Sequence, residues 1–288
     1  MNHMLKHTTE NIQLLDLSIH TESYGAGERI VFLHGGPGDE HRYFLPHVLP
    51  LAETHELFFY DQRGCGQSEK ATDPSHYTMI REVETLEALR REKGWDKMNL
   101  LGQSWGTMLG LLYACHYPDR VKRLLLVSAV GVQGKDLQRF AENLMDRMSN
   151  EEQQSVTRLE SEKESMGLNA FDEQMKSIIF PYYVFNPDNL THVTETTINM
   201  NVNERMCADI LAHYDLREQL QRLKGIPLRI IQGRMDLITP DDLTETLFPY
   251  LPTQDQVIFE RSGHWPFMEE PDYFVEAVRE FFPHIKEE

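Results

Sequence analysis

The chain has 288 residues, of which 40% are hydrophobic and 26% are charged, a balance typical of a globular protein with a sizeable core. Its 46 acidic and 28 basic side chains give a formal charge of -18, which would repel phosphate backbones and anionic lipid surfaces. We therefore expect no nucleic acid partner and no membrane partner. A solvated acidic surface explains this charge, and electrostatic steering of cationic substrates is the alternative.

The cysteines and the N-terminal residues predict the cellular compartment of the protein. Cys65, Cys115 and Cys207 are far apart, odd in number and without a C-x-x-C pair, which predicts free thiols in a reducing environment. Residues 1–10 lack the apolar core of a signal peptide, and no stretch has the roughly 20 apolar residues that span a bilayer. We expect a cytoplasmic protein. A monomer is favoured, although the sequence does not determine the oligomeric state.

Predicted strands and helices alternate along most of the chain. Residues 12–24 predict an antiparallel hairpin or edge strand, and short apolar runs predict buried strands at 29–33, 56–60, 97–101, 122–128, 227–232 and 255–260. Helices are predicted at 79–93, 108–117, 241–247 and 272–282. This alternation predicts an α/β fold with a mostly parallel sheet and helices on both of its faces.

The alternation stops between residues 132 and 223, where Glu, Met and Asn are frequent and amphipathic helices are predicted. Because the strand pattern resumes at Pro227, we expect a helical lid inserted after the sixth strand and not an independent domain. The predicted division is a core domain at 1–132 and 224–288 with a helical cap at 133–223.

A G-x-S-x-G motif at residues 102–106 lies between a predicted strand and a predicted helix. This context is typical of a nucleophile elbow, a sharp turn that raises a serine hydroxyl above the sheet. The motif makes Ser104 the candidate nucleophile. Taken alone, it fits an ordinary Gly-rich turn equally well.

Two further residues complete a possible catalytic triad. Asp236 and His264 each follow a predicted strand, so both should lie at the carboxyl edge of the sheet, where ligands of parallel sheets bind. Their order after Ser104 is the order expected for this type of elbow. Taken singly, Asp236 could be a turn or N-cap residue before Thr239, and His264 could be structural.

The glycine-rich loop at residues 34–38 (HGGPG) follows the buried strand at 29–33. Its glycines allow close approach of a substrate, and the N–H groups of Gly36 and Trp105 could stabilise a developing oxyanion. We assign Gly35 to substrate binding and expect His34 to brace the loop.

These motifs, together with residues 61–68 (DQRGCGQS), resemble the α/β-hydrolase fold and, within it, the prolyl aminopeptidase (proline iminopeptidase) family of serine peptidases. The resemblance implies release of an N-terminal residue, often proline, through an acyl-enzyme on Ser104. Asp61 and Arg63 are expected in a charge network that fixes their loop, with a role in substrate binding as the alternative.

The resemblance also implies an acidic lid residue that binds the substrate amine, and Glu204 is the best candidate. A solvated glutamate paired with an arginine is the alternative. Some family members carry a second acid after the catalytic aspartate, whereas this chain has Leu237. Lid aromatic residues could line an apolar pocket or form the lid core: Phe140, Phe171, Phe180, Tyr182, Tyr183 and Phe185.

Three functions are considered, and the first is our leading hypothesis. The first is a serine hydrolase that releases N-terminal residues, preferably proline, from small peptides or aminoacyl amides. The second is a carboxylesterase, lactonase or amino-acid amidase with the same triad, and the third is a binding protein on a hydrolase scaffold. The sequence contains no metal-binding cluster, and no dinucleotide-binding motif follows a predicted strand. We therefore expect no cofactor and no metal.

Overall fold

A computed structural model describes residues 5–252 and 255–283 of the chain. The outer limits of the predicted core domain, residues 1 and 288, lie outside these ranges. The strands are β1 (His7–Leu14), β2 (Leu17–Gly25), β3 (Glu28–Leu33), β4 (His55–Tyr60), β5 (Met98–Gln103), β6 (Val121–Val127), β7 (Leu228–Gly233) and β8 (Gln256–Phe259).

Eight strands of the described residues form one sheet in the order β1-β2-β4-β3-β5-β6-β7-β8. The hairpin of β1 and β2 pairs antiparallel with β4, and the strands from β4 to β8 pair in parallel. The predicted α/β fold with a mostly parallel sheet is thus confirmed. The loops after β3, β5, β7 and β8 consequently leave the sheet at one edge.

Helices cover both faces of the sheet. They are α1 (Met79–Glu92), α2 (Trp105–His116), α3 (Gly134–Arg147), α4 (Asn150–Met166), α5 (Leu168–Ile179), α6 (Met200–His213), α7 (Pro240–Thr246), α8 (Pro266–Glu269) and α9 (Pro271–Phe281). Strand β3 shows the layering, because Val31 and Leu33 join one core cluster while Ile30 and Phe32 join the other. Successive side chains of a strand point to opposite faces, so both faces of this sheet are buried.

Residues 133–223, called the cap segment below, contain α3 to α6 between β6 and β7. Their helical content follows from the amphipathic pattern, and Ser149 and Glu152 form a capping box at the start of α4. That the cap segment is a domain bounded at 133 and 223 stays a prediction. Within the described residues, no helix combines the length and apolar character that crossing a membrane requires.

Candidate active site

Ser104 occupies a strained turn between β5 and α2, with φ 55° and ψ -122°. Non-glycine residues seldom adopt such a conformation, which typically costs about 1–3 kcal/mol and persists where the surrounding structure imposes it. Two glycines provide that surrounding. A Cβ atom at Gly102 would lie 2.2 Å from the carbonyl oxygen of Gly106, and one at Gly106 would lie 2.0 Å from the carbonyl oxygen of Leu33.

Asp236 and His264 meet at the same edge of the sheet. The Nδ1 atom of His264 lies 2.8 Å from Oδ1 of Asp236, and both side chains are buried. The carboxylate also accepts hydrogen bonds from the Leu237 N–H, at 2.6 Å, and from Nε2 of Gln232, at 3.0 Å. With Nδ1–H donating to Asp236, the Nε2 atom of His264 is left as a possible proton acceptor.

The N-cap alternative for Asp236 is wrong. Thr239 caps α7 instead, in a capping box with Asp242. A residue of the cap segment fixes the backbone around Asp236. The guanidinium of Arg147 donates to the carbonyl oxygens of Met235, at 2.8 Å, and Asp236, at 2.5 Å. No sequence pattern indicates this role of Arg147, because it depends on how α3 packs against the sheet.

The two predicted oxyanion-binding residues lie at the cavity beside the elbow. Gly36 and Trp105 line the same cavity as Ser104 and His264. Trp105 is the first residue of α2, so its N–H has no intrahelical acceptor, and Gly36 adopts a φ of +119°. The roles of Ser104, Asp236, His264, Gly36 and Trp105 remain predictions.

Gly35 belongs to the HGGPG loop and packs against the elbow. Its N–H donates to the Tyr43 hydroxyl at 2.6 Å, and its carbonyl oxygen accepts from Nδ1 of His34 at 2.9 Å. A Cβ atom at Gly35 would lie 3.0 Å from Cβ of Ser104, so the glycine allows the loop to approach the elbow. Substrate binding by Gly35 stays a prediction, which these contacts do not support.

His34 braces the loop, in agreement with its predicted role. Its Nε2 accepts from the Gln62 N–H at 3.0 Å, and Nε2 of Gln62 donates to the His34 carbonyl oxygen at 2.8 Å. Burial lowers the pKa of His34 to about 4, so the ring is neutral near pH 7. Gln62 also accepts from the indole N–H of Trp105, at 2.8 Å, and thereby ties residues 61–68 to the elbow.

Asp61 and Arg63 belong to buried or half-buried charge networks, as expected. Asp61 binds Nδ1 of His41 at 2.7 Å, while Arg63 pairs with Asp16 at 2.8 Å. Burial alone would lower the pKa of His41, but Asp61 and Glu22 outweigh it and raise the pKa to about 9. These contacts fix the loops beneath the cavity and give no support to direct substrate binding.

The cavity at the elbow has a volume of about 760 Å³ and is lined by both apolar and charged side chains. The apolar lining includes Val130, Leu137, Phe140, Phe180, Tyr183 and Trp265. The rings of Phe140 and Tyr183 lie 5.0 Å and 5.2 Å from the His264 ring, between centroids. The charged lining includes Asp39, Arg42, Asp172, Glu173, Lys176 and Glu195.

The lid aromatic residues divide between the two predicted roles. Phe140, Phe180 and Tyr183 line the cavity. Phe171 is buried at 2% exposure, whereas Phe185 is 45% exposed. The hydroxyl of Tyr182 donates to Glu152 at 2.7 Å. Three of the six aromatic residues therefore line the cavity, as the first of the two predicted roles requires.

Glu204 lies outside the cavity wall. Its side chain is 54% exposed on α6 and forms an ion pair with Nζ of Lys163. This arrangement matches the solvated alternative, with a lysine in place of the expected arginine. Binding of the substrate amine by Glu204 stays a prediction, which the position of this side chain does not support.

Asp39 is a cavity carboxylate that the sequence did not reveal. It follows the HGGPG loop directly and folds back on it, since a Cβ atom at Gly36 would lie 3.1 Å from Cβ of Asp39. Burial raises the pKa of Asp39 to about 6, although hydrogen bonds from the Thr196 hydroxyl and the Glu40 N–H and the charge of Lys176 oppose this shift. An acid adjoining a predicted oxyanion loop is the signal that could have identified it.

With this geometry established, comparison with known proteins identifies the family. A model of the alpha/beta hydrolase fold matches residues 28–271. The chain is an α/β-hydrolase. It resembles the proline iminopeptidase of Saccharolobus solfataricus, at 29% identity over 95% of this chain and 91% of that protein. It also resembles the proline iminopeptidase of Lactobacillus helveticus (strain DPC 4571), at 32% identity over 88% of each chain.

Solved structures of α/β-hydrolases share the fold. An alpha/beta fold family hydrolase from Bacillus anthracis str. Sterne superposes with a TM-score of 0.79 at 20% identity, covering 96% of this chain and all of that one. The proline iminopeptidase of Mycobacterium smegmatis superposes with a TM-score of 0.72 at 19% identity, covering 95% and 97% of the two chains. At these identities the structures support the fold alone, while the sequence relatives connect this hydrolase with the proline iminopeptidase family.

Proposed function

We propose that this hydrolase releases N-terminal residues, with proline preferred, from small peptides or aminoacyl amides through an acyl-enzyme on Ser104. The observation that carries the proposal is the buried contact of 2.8 Å between His264 and Asp236, beside a cavity that Ser104 also lines. A buried carboxylate that orients a histidine is the arrangement that activates a serine hydroxyl.

In the first half of the reaction, Ser104 Oγ attacks the carbonyl carbon of the substrate while Nε2 of His264 accepts the hydroxyl proton. The carbonyl oxygen becomes an oxyanion and accepts hydrogen bonds from the N–H groups of Gly36 and Trp105. The C–N bond then breaks, and His264 returns the proton to the leaving amine. Asp236 stabilises the imidazolium that exists between these two proton transfers.

In the second half, water replaces the amine. His264 takes a proton from the water, whose oxygen attacks the carbonyl carbon of the acyl-enzyme. The ester bond to Ser104 Oγ breaks as His264 returns a proton to that oxygen. The products are the free N-terminal amino acid and either the shortened peptide or, from an aminoacyl amide, the free amine.

Recognition of a free amino terminus is supported by the charge of the cavity. Its cations are already paired, since Nζ of Lys176 lies 2.7 Å from Asp172 and Nε of Arg42 lies 2.9 Å from Glu40. Three carboxylates that line the cavity form no ion pair with these two cations: Asp39, Glu173 and Glu195. The excess negative charge favours a cationic substrate group.

Asp39 is the carboxylate we assign to that group. In an aminoacyl substrate, the α-nitrogen lies about 3 Å from the carbonyl oxygen, because a single carbon separates it from the carbonyl carbon. A carboxylate that packs against Gly36 is therefore close to the amine of a substrate whose carbonyl oxygen binds at Gly36. The apolar side chains that line the same cavity could hold a proline ring, and the named activity of the relatives supports this preference.

A carboxylesterase, lactonase or amino-acid amidase is the second candidate. The apolar lining that includes Phe140, Phe180 and Tyr183 favours it, because such a lining accepts an uncharged acyl group as readily as a proline ring. The same triad would perform the chemistry, so only substrate preference separates the two functions.

A panel of arylamides and esters tests the proposal. We expect L-prolyl arylamide to be hydrolysed and its N-acetylated form to react at least about 100-fold more slowly, because the acetylated nitrogen carries no charge. Equal rates would refute the aminopeptidase function. Much faster turnover of short acyl nitrophenyl esters than of any aminoacyl arylamide would favour the second candidate.

The Ser104→Ala variant controls this panel. It should lose hydrolysis of every substrate and labelling by a fluorophosphonate, while unfolding at the wild-type temperature. Retention of labelling would show that another residue is the nucleophile. Failure of the wild type to label would support an inert binding protein.

A further inference from the structure

Helix α6 of the cap segment begins on the loop that carries Gly36. The side-chain amide of Asn203 donates from Nδ2 to the carbonyl oxygen of Pro37 at 2.8 Å. The N–H of Asn199 donates to the carbonyl oxygen of Gly38, also at 2.8 Å. A carbonyl oxygen can only accept, so the Asn203 amide must present its nitrogen to the loop.

The helix and the loop are in close steric contact. Gly38 has a φ of +94°, and a Cβ atom there would lie 2.7 Å from the Asn199 carbonyl oxygen and 3.3 Å from Cβ of Asn203. The side chain of Asn199 also donates from Nδ2 to the carbonyl oxygen of Gly64 at 2.8 Å. The start of α6 therefore joins the glycine-rich loop to the loop after β4.

Gly36 is consequently held from both sides. Its preceding residue is fixed by the hydrogen bond of 2.6 Å from the Gly35 N–H to the Tyr43 hydroxyl. Its following residues are fixed by Asn203 and Asn199. A glycine has soft backbone torsions, so the direction of the Gly36 N–H depends on contacts that fix its neighbours.

We propose that Asn203 is a positioning residue that aims the Gly36 N–H at the developing oxyanion. The cap segment then contributes to the chemical step itself, in addition to enclosing the substrate. This inference rests on the proposed oxyanion role of Gly36. Asn199 supports the same loop through its backbone N–H, which a side-chain substitution cannot remove.

The test replaces Asn203 by leucine, which has a similar volume and no donor, and by alanine as a second variant. With the loop free to shift, kcat should fall about ten-fold or more while KM changes by less than about two-fold, because misplacement affects the transition state more than substrate binding. Rates are measured for prolyl arylamide and for a short acetyl nitrophenyl ester, and fluorophosphonate titration counts the active sites.

The two substrates separate positioning from binding. The acetyl ester has no amine and little acyl group to contact the cap, so a fall in kcat on both substrates supports positioning. A change confined to KM of the arylamide, or an unchanged kcat on both, overturns it. Asn201→Leu is the matched control, since Asn201 lies exposed on the same helix and should keep the wild-type rates.

Ser104→Ala separates this inference from the proposed function. If that variant is inactive while both Asn203 variants keep the wild-type kcat, only the positioning role is refuted. If Ser104→Ala remains active, the proposed mechanism fails. Should Asn203→Leu unfold near the assay temperature, the alanine variant decides, with kcat expressed per titrated active site.

Discussion

Helix α2, which follows the elbow, and helix α4, in the cap segment, are stabilised differently. Of the 12 residues of α2, all but His116 are buried. Of the 17 residues of α4, Leu159 alone is buried, and a capping box satisfies the first turn. Helix α2 therefore depends on close packing, whereas α4 depends on local hydrogen bonds and solvated charge.

This difference determines what a substitution does in each region. At the edge, a single added carbon would collide with backbone atoms, as at Gly102. In the cap, many side chains reach solvent and can be exchanged at small cost. We therefore expect substitutions in the cap to be able to change substrate preference while the fold is retained.

The largest expected effect is on catalysis at the edge. Asp236→Asn keeps the side-chain volume but can no longer stabilise an imidazolium or hold the required tautomer of His264, so kcat should fall about 10⁴-fold. Steady-state kinetics at pH 7 would measure this fall. Asp188→Asn, at an exposed cap position, is the control and should leave kcat within about two-fold of wild type. Similar effects of both changes would argue against Asp236 as the orienting acid.

The second effect is on stability. Gly106→Ala would place a Cβ atom 2.0 Å from the Leu33 carbonyl oxygen, so we expect a loss of more than about 3 kcal/mol in the free energy of unfolding. In the cap, Gly167→Ala meets no atom within 4 Å, and its cost comes from the backbone strain at a φ of +85° and a ψ of 149°, about 1–3 kcal/mol. Urea unfolding of both variants would measure the difference. Equal losses of stability would mean that the backbone around Gly106 can move to accept a Cβ atom.

The third effect is on substrate binding. Asp39→Asn removes the proposed partner of the substrate ammonium, so KM for prolyl arylamide should rise about ten-fold or more with little change for the acetyl ester. In the wild-type enzyme this KM should rise as pH falls through about 6, because the Asp39 carboxyl becomes neutral below its raised pKa. The Asn variant should lack this pH dependence of KM. A parallel dependence in both proteins would assign it to another group.

The smallest effect is expected at Glu204. Its ion pair with Lys163 is half-exposed, so Glu204→Gln should change the free energy of unfolding by less than about 1 kcal/mol. Because the side chain lies outside the cavity wall, KM for prolyl arylamide should stay within about two-fold of wild type. A large rise in that KM would restore Glu204 as the amine-binding residue and remove the case for Asp39.

Several parts of the fold and of the candidate site follow from sequence alone because their causes are local. Buried parallel strands require continuous apolar runs, which is why β3 to β8 lie within a few residues of their predicted positions. The elbow requires glycines on either side of Ser104, because any side chain there would meet backbone atoms. Asp236 and His264 follow strands, and a parallel sheet brings strand ends to one edge.

The remaining assignments depend on distances between elements that are remote in the sequence. A glutamate on an amphipathic helix can face either the cavity or the solvent, and only the packing of α6 turns Glu204 outward. The same packing brings Asn203 to Pro37, while the fold of the loop after β3 brings Asp39 back to Gly36. The sequence by itself determined the conformation of the elbow, because steric constraints act between near neighbours. The tertiary structure decided which charged side chains line the cavity, because that depends on the packing of elements remote in the sequence.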